Sequence, residues 1–301
     1  MNDSPKAVML LSVIIVTYRS EGEIGACLAS IPSRVTDGEV EVIVFDNSPD
    51  DATALVITRD FPAVRLIKSG ENLGFSKANN RAYAESRGEF ILFLNPDTVS
   101  NRAAYDACLK ILREYPGAGI VSPRLVLADG QMDLASRRGI ATLWDGFCRA
   151  AGLAARFPKW KLVSGYNLTY LDEKGTYPVG AVNGAFMLTS RSLLQEVGLF
   201  DEAFFMYCED IDLCYRFSLA GYDNIYHGAV EVIHLKGSSS TREVERMSHE
   251  LFVGARKFYL KHFNPRKRFW IKWKYEMTFW LWEMWANFRR RVKRGNRVRP
   301  V

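Results

Sequence analysis

The chain has 301 residues, of which 48% are hydrophobic and 25% are charged, and this composition excludes a disordered or fibrous protein. No run of about 18 apolar residues occurs, so we expect no membrane-spanning helix, and the start lacks the basic leader of a signal peptide. The five cysteines are odd in number and show no Cys-x-x-Cys spacing. We therefore expect reduced thiols in a cytosolic protein rather than disulfides or a metal site.

Apolar runs and helical patterns alternate along most of the chain. Strands are predicted at 10–18, 39–48, 64–69, 89–95, 185–190 and 231–237. Helices are predicted at about 76–86, 101–115 and 191–197, and again after the aromatic stretch near 204–208. Residues 129–178 are less regular and are predicted only as loops with some helix. The alternation favours an α/β fold with a mostly parallel twisted sheet flanked by helices.

Asp46 and Asp97 each follow a predicted strand, where open α/β sheets collect functional groups. A turn explains either residue equally well, because both lie in sequences rich in Asn, Pro, Ser and Asp. Carboxylates at strand ends also hold hard divalent cations such as Mg²⁺ or Mn²⁺, which prefer oxygen ligands. His234, near the end of the last predicted strand, is more often structural unless another ligand converges on it.

Three acids, Glu209, Asp210 and Asp212, lie among aromatic residues where a helix should begin. Asp212 precedes Arg216 by four residues, so we interpret it as one half of a surface ion pair. Anions are stabilised at a helix N-terminus, but capping needs only one of the other two acids. A second carboxylate at the rim of an apolar pocket is placed to act as a general base.

Taken together, these segments resemble the inverting family 2 glycosyltransferases, most closely their rhamnosyltransferase-like branch. The resemblance covers about residues 10–241 and follows the family's order. The matching stretches are SVIIVTYRS, VIVFDNSPDD, ENLGFSKANN, FLNPDT, VNGAFMLTSRSLLQEVGLFDEAFFMYCEDIDLCYRF and VIHLKGSSST. Each stretch alone is a weak signal, whereas the ordered set is specific.

The resemblance implies a GT-A type fold that transfers a sugar from a nucleotide diphosphate donor. Thr17 and Tyr18 would then line the base and ribose site, and Asp46 would accept a hydrogen bond from the base. Asn79 would face the nucleotide. Asn95 stands where the family's Asp-x-Asp motif has its first acid, and it is assigned to the nucleotide-sugar site.

The resemblance also assigns the metal and catalytic groups. Asp97 is left as the main carboxylate ligand of a divalent cation, Mg²⁺ or Mn²⁺. His234 matches the late histidine that commonly completes the family's metal site. Glu209 and Asp210 match the catalytic acidic pair, with Asp210 as the base.

A predicted GT-A domain at 8–262 is followed by a basic, tryptophan-rich tail at 263–301. Residues 256–301 carry 15 Lys and Arg against two acids, a net charge of +13, whereas the preceding residues carry −7. Five tryptophans between 270 and 285 follow helical spacing with their apolar neighbours. This pattern predicts a helix in the interface of an anionic membrane, and the alternative is a helix packed on the body. We do not expect nucleic acid as a partner, because no folded basic face is apparent.

These features predict a cytoplasmic glycosyltransferase, peripheral on the inner face of the cell membrane, that contributes to bacterial surface-polysaccharide biosynthesis. The resemblance implies dTDP-L-rhamnose as donor and a hydroxyl of a lipid-linked glycan as acceptor, and another UDP- or GDP-sugar is the open alternative. A sugar-1-phosphate nucleotidylyltransferase would need a glycine-rich loop after the first strand, where no glycine occurs before Gly22. A catalytically silent, membrane-associated binding protein is the competitor from another class, and the presence of Asp97, Asp210 and His234 together argues against it.

Overall fold

The computed structural model describes residues 9–36, 38–236 and 244–263 and the single residue 277. The chain divides into two compact units, one ending at Val244 and the other beginning at Glu245. All strands of the described residues lie in the first unit, and a single long helix represents the second.

A mixed sheet of ten strands forms the centre of the described part of the first unit, beside a separate pair of short strands. The strands are β1 (Met9–Thr17), β2 (Arg34–Val35), β3 (Gly38–Asp46), β4 (Arg65–Lys68), β5 (Phe90–Leu94), β6 (Thr98–Val99), β7 (Ala118–Val126), β8 (Arg137–Arg138), β9 (Thr176–Val179), β10 (Ala181–Val182), β11 (Phe186–Ser190) and β12 (Asp223–His234). The sheet order is β2-β3-β1-β5-β11-β7-β12-β6, with β4 paired to β3 and β9 to β12, while β8 pairs with β10.

The direction of the central strands brings several chain segments to one edge of the sheet. β1, β3, β4 and β5 pair in parallel, so their carboxyl ends lie at the same edge. β11 runs antiparallel to both β5 and β7, with its first residue, Phe186, opposite Leu94 at the end of β5. The segment that leads into β11 therefore reaches the edge where β1, β3 and β5 end.

Both faces of the central strands are buried, as continuous apolar runs predict. Val13 and Ile15 of β1 belong to one hydrophobic cluster with Leu92, while Ile14 belongs to a second cluster with Phe93. Successive side chains of a strand point to opposite faces, so the two clusters lie on the two sides of the sheet.

Helices cover the sheet, and some of them begin with a side-chain cap. Asn101 and Ser190 accept hydrogen bonds from backbone N–H groups in the first turns of their helices, which satisfies donors that have no partner inside the helix. The helices are α1 (Ile24–Ser30), α2 (Ala52–Asp60), α3 (Phe75–Ala84), α4 (Arg102–Glu114), α5 (Leu143–Ala150), α6 (Leu153–Arg156), α7 (Arg191–Val197), α8 (Glu209–Leu219) and α9 (Val244–Phe263).

The observed elements confirm most of the predicted ones within a few residues. The last strand is longer than predicted, because β12 begins at Asp223 rather than near 231. The irregular region at 129–178 contains β8, α5, α6 and part of the sheet through β9. Within the described residues, no helix has both the length and the apolar character needed to cross a bilayer. The predicted tail helix at 263–301 lies outside the described residues except for its first residue and residue 277.

Candidate active site

Asp46 lies at the end of β3 and is held by hydroxyl groups from both sides. The parallel register places Thr17, the last residue of β1, opposite Asp46. Thr17 Oγ1 donates to Asp46 Oδ1 over 3.0 Å, and Ser48 Oγ and N donate to the same oxygen over 2.6 and 3.0 Å. The side chain of Asp46 is fully buried, and its Oδ2 has no hydrogen-bond partner among the described residues. A buried acceptor without a partner is costly unless a ligand donates to it.

The loop before α3 is joined both to the end of β3 and to the aromatic segment before α8. Asn47 Nδ2 donates to the carbonyl of Gly74 over 3.1 Å, and the N–H of Phe75 donates to the carbonyl of Phe205 over 2.7 Å. Gly74 has φ +80°, and a Cβ atom there would lie 2.5 Å from the Phe205 carbonyl oxygen. Only glycine fits this position without a shift of the backbone, so the close approach of the two segments depends on it.

The other residues predicted for the nucleotide-sugar site lie near the same edge with different contacts. Tyr18 follows β1 directly, is half-buried, and has the Arg19 guanidinium 5.6 Å from its ring centroid. Asn95 follows β5, and its N–H donates to the carbonyl of Ala185 over 3.0 Å. Asn79 is buried within α3, where its Nδ2 donates to the Phe75 carbonyl over 3.0 Å. The described contacts do not join Asn79 to Asp46.

Asp97 and His234, separated by more than one hundred residues in the chain, lie side by side. His234 Nε2 is 3.3 Å from Asp97 Oδ1, and the N–H of Leu235 donates to the Asp97 carbonyl over 2.8 Å. On its other side, His234 Nδ1 is 3.2 Å from Oδ2 of Asp133, a carboxylate that is 2% exposed. Lys236 Nζ donates to Asp133 Oδ1 over 2.6 Å.

These contacts set the protonation preferences of the cluster. Burial alone would lower the pKa of His234, but the hydrogen bonds to Asp133 and Asp97 outweigh it and raise this pKa to about 9. Burial alone would raise the pKa of Asp133, yet the hydrogen bonds from His234 and Lys236 hold it well below its usual range. Asp133 therefore stays ionised and favours a proton on His234 Nδ1. At neutral pH the Nε2 atom also carries a proton, which it shares with Asp97, and a cation bound there would displace that proton.

The Asp97–His234 pair fits a divalent cation in chemistry and spacing. One carboxylate oxygen and one imidazole nitrogen suit Mn²⁺ or Mg²⁺, and adjacent ligand atoms around such an ion lie about 3 Å apart. The observed separation of 3.3 Å is close to that spacing. No group of three or more His, Cys, Asp or Glu side chains that could hold a metal ion occurs in the described part of the chain. Asp97 and His234 are therefore the two side chains among the described residues that would hold the cation.

Asp210 is held at the start of α8 by three donors. Arg138 of β8 donates from its guanidinium to Asp210 Oδ2 over 2.6 Å, and the N–H of Gly184 donates to the same oxygen over 3.0 Å. The N–H of Ile211 donates to Oδ1 over 2.8 Å. The same Arg138 nitrogen donates to the Val182 carbonyl over 2.6 Å, so the pair is fixed to the segment before β11. A buried carboxylate paired in this way keeps one orientation.

Glu209, next to Asp210, is in a different electrostatic environment. It is buried, and its Oε2 has no hydrogen-bond partner among the described residues. Burial and the neighbouring charge of Asp210 raise the pKa of Glu209 to about 8. The two adjacent carboxyl groups therefore differ in their surroundings: Asp210 accepts from three donors, whereas Glu209 keeps a proton up to neutral pH.

The interpretation of Asp212 as half of a surface ion pair is wrong about its location. Arg216 Nε does donate to Asp212 Oδ2 over 2.9 Å, but the Asp212 side chain is fully buried. The Arg216 guanidinium also donates to the carbonyls of Val197, Gly198 and Leu199. The i,i+4 spacing correctly indicated the partner but contains no information about the loop that covers the pair.

A four-residue segment, 182–185, joins the two parts of the site. Asn183 Nδ2 is 3.4 Å from Asp133 Oδ2, and Asp133 in turn contacts His234. The next residue, Gly184, donates to Asp210, and Ala185 accepts from the N–H of Asn95. The Asp97–His234 pair, Asp210 and the end of β5 are therefore connected through consecutive residues.

Unfavourable backbone conformations cluster around this site. Six non-glycine residues in the described chain have positive φ, and four of them are Arg19, Tyr207, Cys208 and Lys236. Arg19 follows the end of β1, Tyr207 and Cys208 immediately precede Glu209, and Lys236 contacts Asp133. Such conformations cost of order 1–3 kcal/mol each and are typical of functional sites.

The sequence reasoning missed Asp133, Arg138 and Asn183. Asp133 and Arg138 lie in the irregular region, where no periodicity located them on an element. Charged residues in a loop are most often solvated, so neither gave a signal by itself. Asn183 and Gly184 belong to the matched stretch VNGAFMLTS, but without the fold there was no way to assign them partners.

Comparison with known proteins identifies the family of the chain. Residues 12–198 match the sequence profile described as Glycosyl transferase family 2. The chain belongs to this family. It is therefore a glycosyltransferase, as predicted.

Two curated relatives and one solved structure are similar to this family 2 glycosyltransferase. N-acetylglucosaminyl-diphospho-decaprenol L-rhamnosyltransferase of Mycobacterium tuberculosis is 33% identical over 78% of this chain and 78% of its own length. Rhamnosyltransferase WbbL of Escherichia coli is 30% identical over 75% and 83%, respectively. The mannosyltransferase PcManGT of Pyrobaculum calidifontis, solved with GDP-Man and Mn²⁺, superposes with a TM-score of 0.58 at 18% identity, over 88% of this chain and 67% of that chain. This last likeness shows the fold alone, and it confirms the GT-A architecture.

Proposed function

We propose that this glycosyltransferase moves L-rhamnose from dTDP-L-rhamnose to a hydroxyl group of a lipid-linked glycan in bacterial surface-polysaccharide biosynthesis. Two relatives of about one third identity are rhamnosyltransferases by name, and the name of one specifies a diphospho-decaprenol substrate. The observation that carries the proposal is the 182–185 segment, which joins Asp97 and His234 to Asp210. A leaving group and a proton acceptor must face the same sugar carbon, and these contacts support that arrangement.

The donor nucleotide is proposed to bind along the edge formed by β1, β3 and β5. The unpartnered Oδ2 of Asp46 supports a role as acceptor for an N–H of the base. Thr17 and Ser48 occupy the other oxygen, so Oδ2 is the atom left for the ligand. Tyr18, Asn79 and Asn95 are assigned to the same site as parts of the proposal.

Asp97 and His234 are the residues that would hold the divalent cation, Mg²⁺ or Mn²⁺. Such a cation supplies charge stabilisation to the departing diphosphate without a proton transfer. In this chain, Asp133 orients the His234 ring by accepting from Nδ1. Lys236 adds a positive charge beside the same carboxylate.

Proton transfer is proposed to fall to Asp210. The acceptor hydroxyl oxygen forms a bond to the anomeric carbon while the bond from that carbon to the diphosphate breaks on the opposite face, so the configuration inverts. The hydroxyl proton moves to a carboxylate oxygen of Asp210, and the nucleoside diphosphate leaves with the electron pair of the broken bond. Arg138 and Gly184 fix the Asp210 carboxylate, so it needs no reorientation for this step.

The membrane side of the proposal rests on the relatives and on the basic tail. A lipid-linked acceptor is confined to the bilayer surface, so the enzyme must work there. The amphipathic helix proposed for 263–301 would anchor the protein on the inner face through its tryptophans and arginines.

A thermal-shift series of nucleotide-sugars with and without Mn²⁺ tests donor and cofactor together. We expect dTDP-L-rhamnose to raise the melting temperature more than UDP- or GDP-sugars do, and only in the presence of the cation. The Asp97→Asn variant should lose the Mn²⁺-dependent part of the shift, and Glu114→Gln, at an exposed acid on α4, should keep it.

The outcome separates this proposal from its competitors. Stabilisation by a UDP- or GDP-sugar instead of dTDP-L-rhamnose would replace the donor but retain the reaction class. The second test supplies an undecaprenyl-diphosphate-linked N-acetylglucosamine acceptor in vesicles. If the protein then binds the donor but neither hydrolyses nor transfers it, a silent binding protein is favoured.

A further inference from the structure

Residues 142–162, which span α5 and α6, form an unusually exposed apolar segment. Of the 14 exposed large hydrophobic residues in the described chain, five lie in these 21 residues. They are Trp144, Phe147, Phe157, Trp160 and Leu162, with exposures between 45% and 57%. Cys148 is the buried residue among the described side chains of the segment. Large apolar groups concentrated in this way mark a contact surface rather than a solvated loop.

The aromatic side chains are organised rather than scattered. Trp144 and Phe147 stack with their ring centroids 5.4 Å apart, and Phe157 and Trp160 meet edge to face at 6.1 Å. Trp144 Nε1 donates to the carbonyl of Leu162 over 2.8 Å, which ties the start of α5 to the far end of the segment. These two aromatic pairs and Leu162 form what we call the aromatic–basic surface.

Four cations accompany the aromatic side chains. Arg149, Arg156, Lys159 and Lys161 are exposed, and Asp145 is the single acid between 142 and 162. Asp145 is engaged in a capping box with Thr142, whose Oγ1 donates to it over 2.6 Å. Residues 142–162, which include the aromatic–basic surface, therefore carry a net charge of +3 alongside their exposed apolar groups.

The surface is connected to the catalytic residues through a short stretch of chain. α5 begins five residues after Arg138, which holds Asp210. Between them, the N–H of Gly139 donates to the carbonyl of Tyr166 over 2.8 Å. This hydrogen bond joins the residues just before the segment to those just after it. A partner bound to the surface is thus linked to Arg138, and through it to Asp210, by a stretch of five residues.

We propose that the aromatic–basic surface is a docking site for an anionic bilayer, distinct from the basic tail, and that it sets the lipid-linked acceptor against Asp210. Tryptophan and phenylalanine interleaved with lysine and arginine are the residues that bind at a membrane interface. The net positive charge complements anionic headgroups. The same positive charge would repel a second copy of this surface and the strongly basic stretch at 256–301, which are two other candidates for covering it.

Hydrogen–deuterium exchange on the full chain locates the contact. We compare the free protein with protein bound to phosphatidylcholine vesicles that do or do not contain phosphatidylglycerol. The expected result is slower exchange of the backbone amides of 142–162 only with the anionic vesicles. If the protein binds vesicles but this segment is not protected, the tail alone docks. If protection grows with protein concentration in the absence of vesicles, a second copy covers the surface. Either result overturns the proposal.

Matched variants separate this surface from general hydrophobicity. The triple variant Phe147→Ser, Phe157→Ser, Trp160→Ser should weaken partition into anionic vesicles by about tenfold or more and remove the protection. The control Leu55→Ser, Leu134→Ser, Leu219→Ser removes three exposed apolar side chains from elsewhere and should leave both the partition and the protection unchanged. Equal behaviour of the two variants would end the proposal.

The docking proposal rests on the proposed lipid-linked acceptor. Different experiments would contradict the docking surface and the proposed glycosyl transfer. Hydrolysis of dTDP-L-rhamnose in solution tests the enzyme without a membrane, and the surface variant should retain it. A protein that shows anionic protection of 142–162 but no donor hydrolysis would keep the docking surface and lose the proposed function.

Discussion

Asp46 and Asp210 are both buried carboxylates at the same edge of the sheet, but they are held by different kinds of structure. Asp46 accepts from Thr17 and Ser48, at the ends of two adjacent parallel strands. Asp210 accepts from Arg138, which is 72 residues away on a two-residue strand, and from a backbone N–H at Gly184. The proposed donor side of the site is therefore part of the sheet, whereas the proposed catalytic side is assembled from connections between elements.

This difference predicts how substitutions on each side of the site should affect binding, chemistry and stability. Strand ends are fixed by the whole ladder of backbone hydrogen bonds, so a change at Asp46 should alter binding and little else. The Asp210 environment depends on a few long-range side-chain contacts, so changes there should affect the chemistry and the stability together.

The largest expected effect is on turnover. Asp210→Asn removes the proposed proton acceptor but keeps the shape of the side chain, and it should lower kcat by about 10²–10⁴-fold with donor affinity almost unchanged. Steady-state kinetics and calorimetric titration of the donor measure the two quantities. If Glu209→Gln loses the activity and Asp210→Asn keeps it, the base is Glu209 and the assignment within the pair is reversed.

The second effect concerns the stability of the catalytic side. Arg138→Met leaves the Asp210 carboxylate buried without its cation, so we expect a loss of about 3–5 kcal/mol in the free energy of unfolding. Arg138→Lys should recover part of both stability and turnover. Urea denaturation gives the free energies, and Arg65→Gln, at an exposed ion pair with Glu85, is the control that should change little. Wild-type stability in Arg138→Met would show that the pair does not hold this region together.

The third prediction tests the orientation of His234. Asp133→Asn removes the carboxylate that accepts from His234 Nδ1, and the affinity for Mn²⁺ should fall by about 10–100-fold. Electron paramagnetic resonance of free and bound Mn²⁺ measures it without any turnover. Asp129→Asn, an exposed turn residue four positions earlier, should bind Mn²⁺ like the wild type. An unchanged affinity in Asp133→Asn would limit this residue to a structural role.

The fourth prediction concerns the donor side. Asp46→Asn keeps an acceptor for Thr17 and Ser48 but turns an N–H₂ group towards the ligand in place of Oδ2. The dissociation constant of the nucleotide-sugar should rise by about tenfold or more, with a smaller change in kcat. Titration of the donor checks this, and Asp50→Asn, at a half-exposed acid, is the matched control. A large drop in kcat at saturating donor would contradict this prediction, because it would give Asp46 a role in the chemical step like that proposed for Asp210.

The last prediction is a pH dependence of stability from Glu209, which appears only when the pH is changed. Its pKa is about 8 in the folded chain against an ordinary value of 4.5, so the folded state retains a proton that the unfolded state has released. Stability from this group is present below pH 4.5 and is lost as the pH rises to about 8. Glu209→Gln should therefore be more stable than the wild type by a few kcal/mol, about 1.4 kcal/mol per unit of pKa shift, at pH 8 and equal to it near pH 4. Melting curves at the two pH values test the sign, with Glu71→Gln as an exposed control.

The sequence predicted the strand-end residues better than those in the connections. Asp46, Asn95 and Asp97 could be located because an apolar run ends just before each of them, and the run is a local signal. The tightly packed loop at Gly74 and the covered position of Asp212 are not local, since each depends on a segment more than ten residues away. Asp133 and Arg138 lie in a region without periodicity, and their partners exist only once β8, β10 and β12 are in place.

The amino-acid order by itself determined the class of fold and the family, and it suggested most of the candidate site residues, because hydrophobic periodicity and short ordered motifs are properties of neighbouring residues. Only the tertiary structure decided which acid is held by an arginine, which binds a proton, and which carboxylate orients the histidine. Those properties depend on burial and on distances of about 3 Å between residues far apart in the chain, and no local pattern contains them.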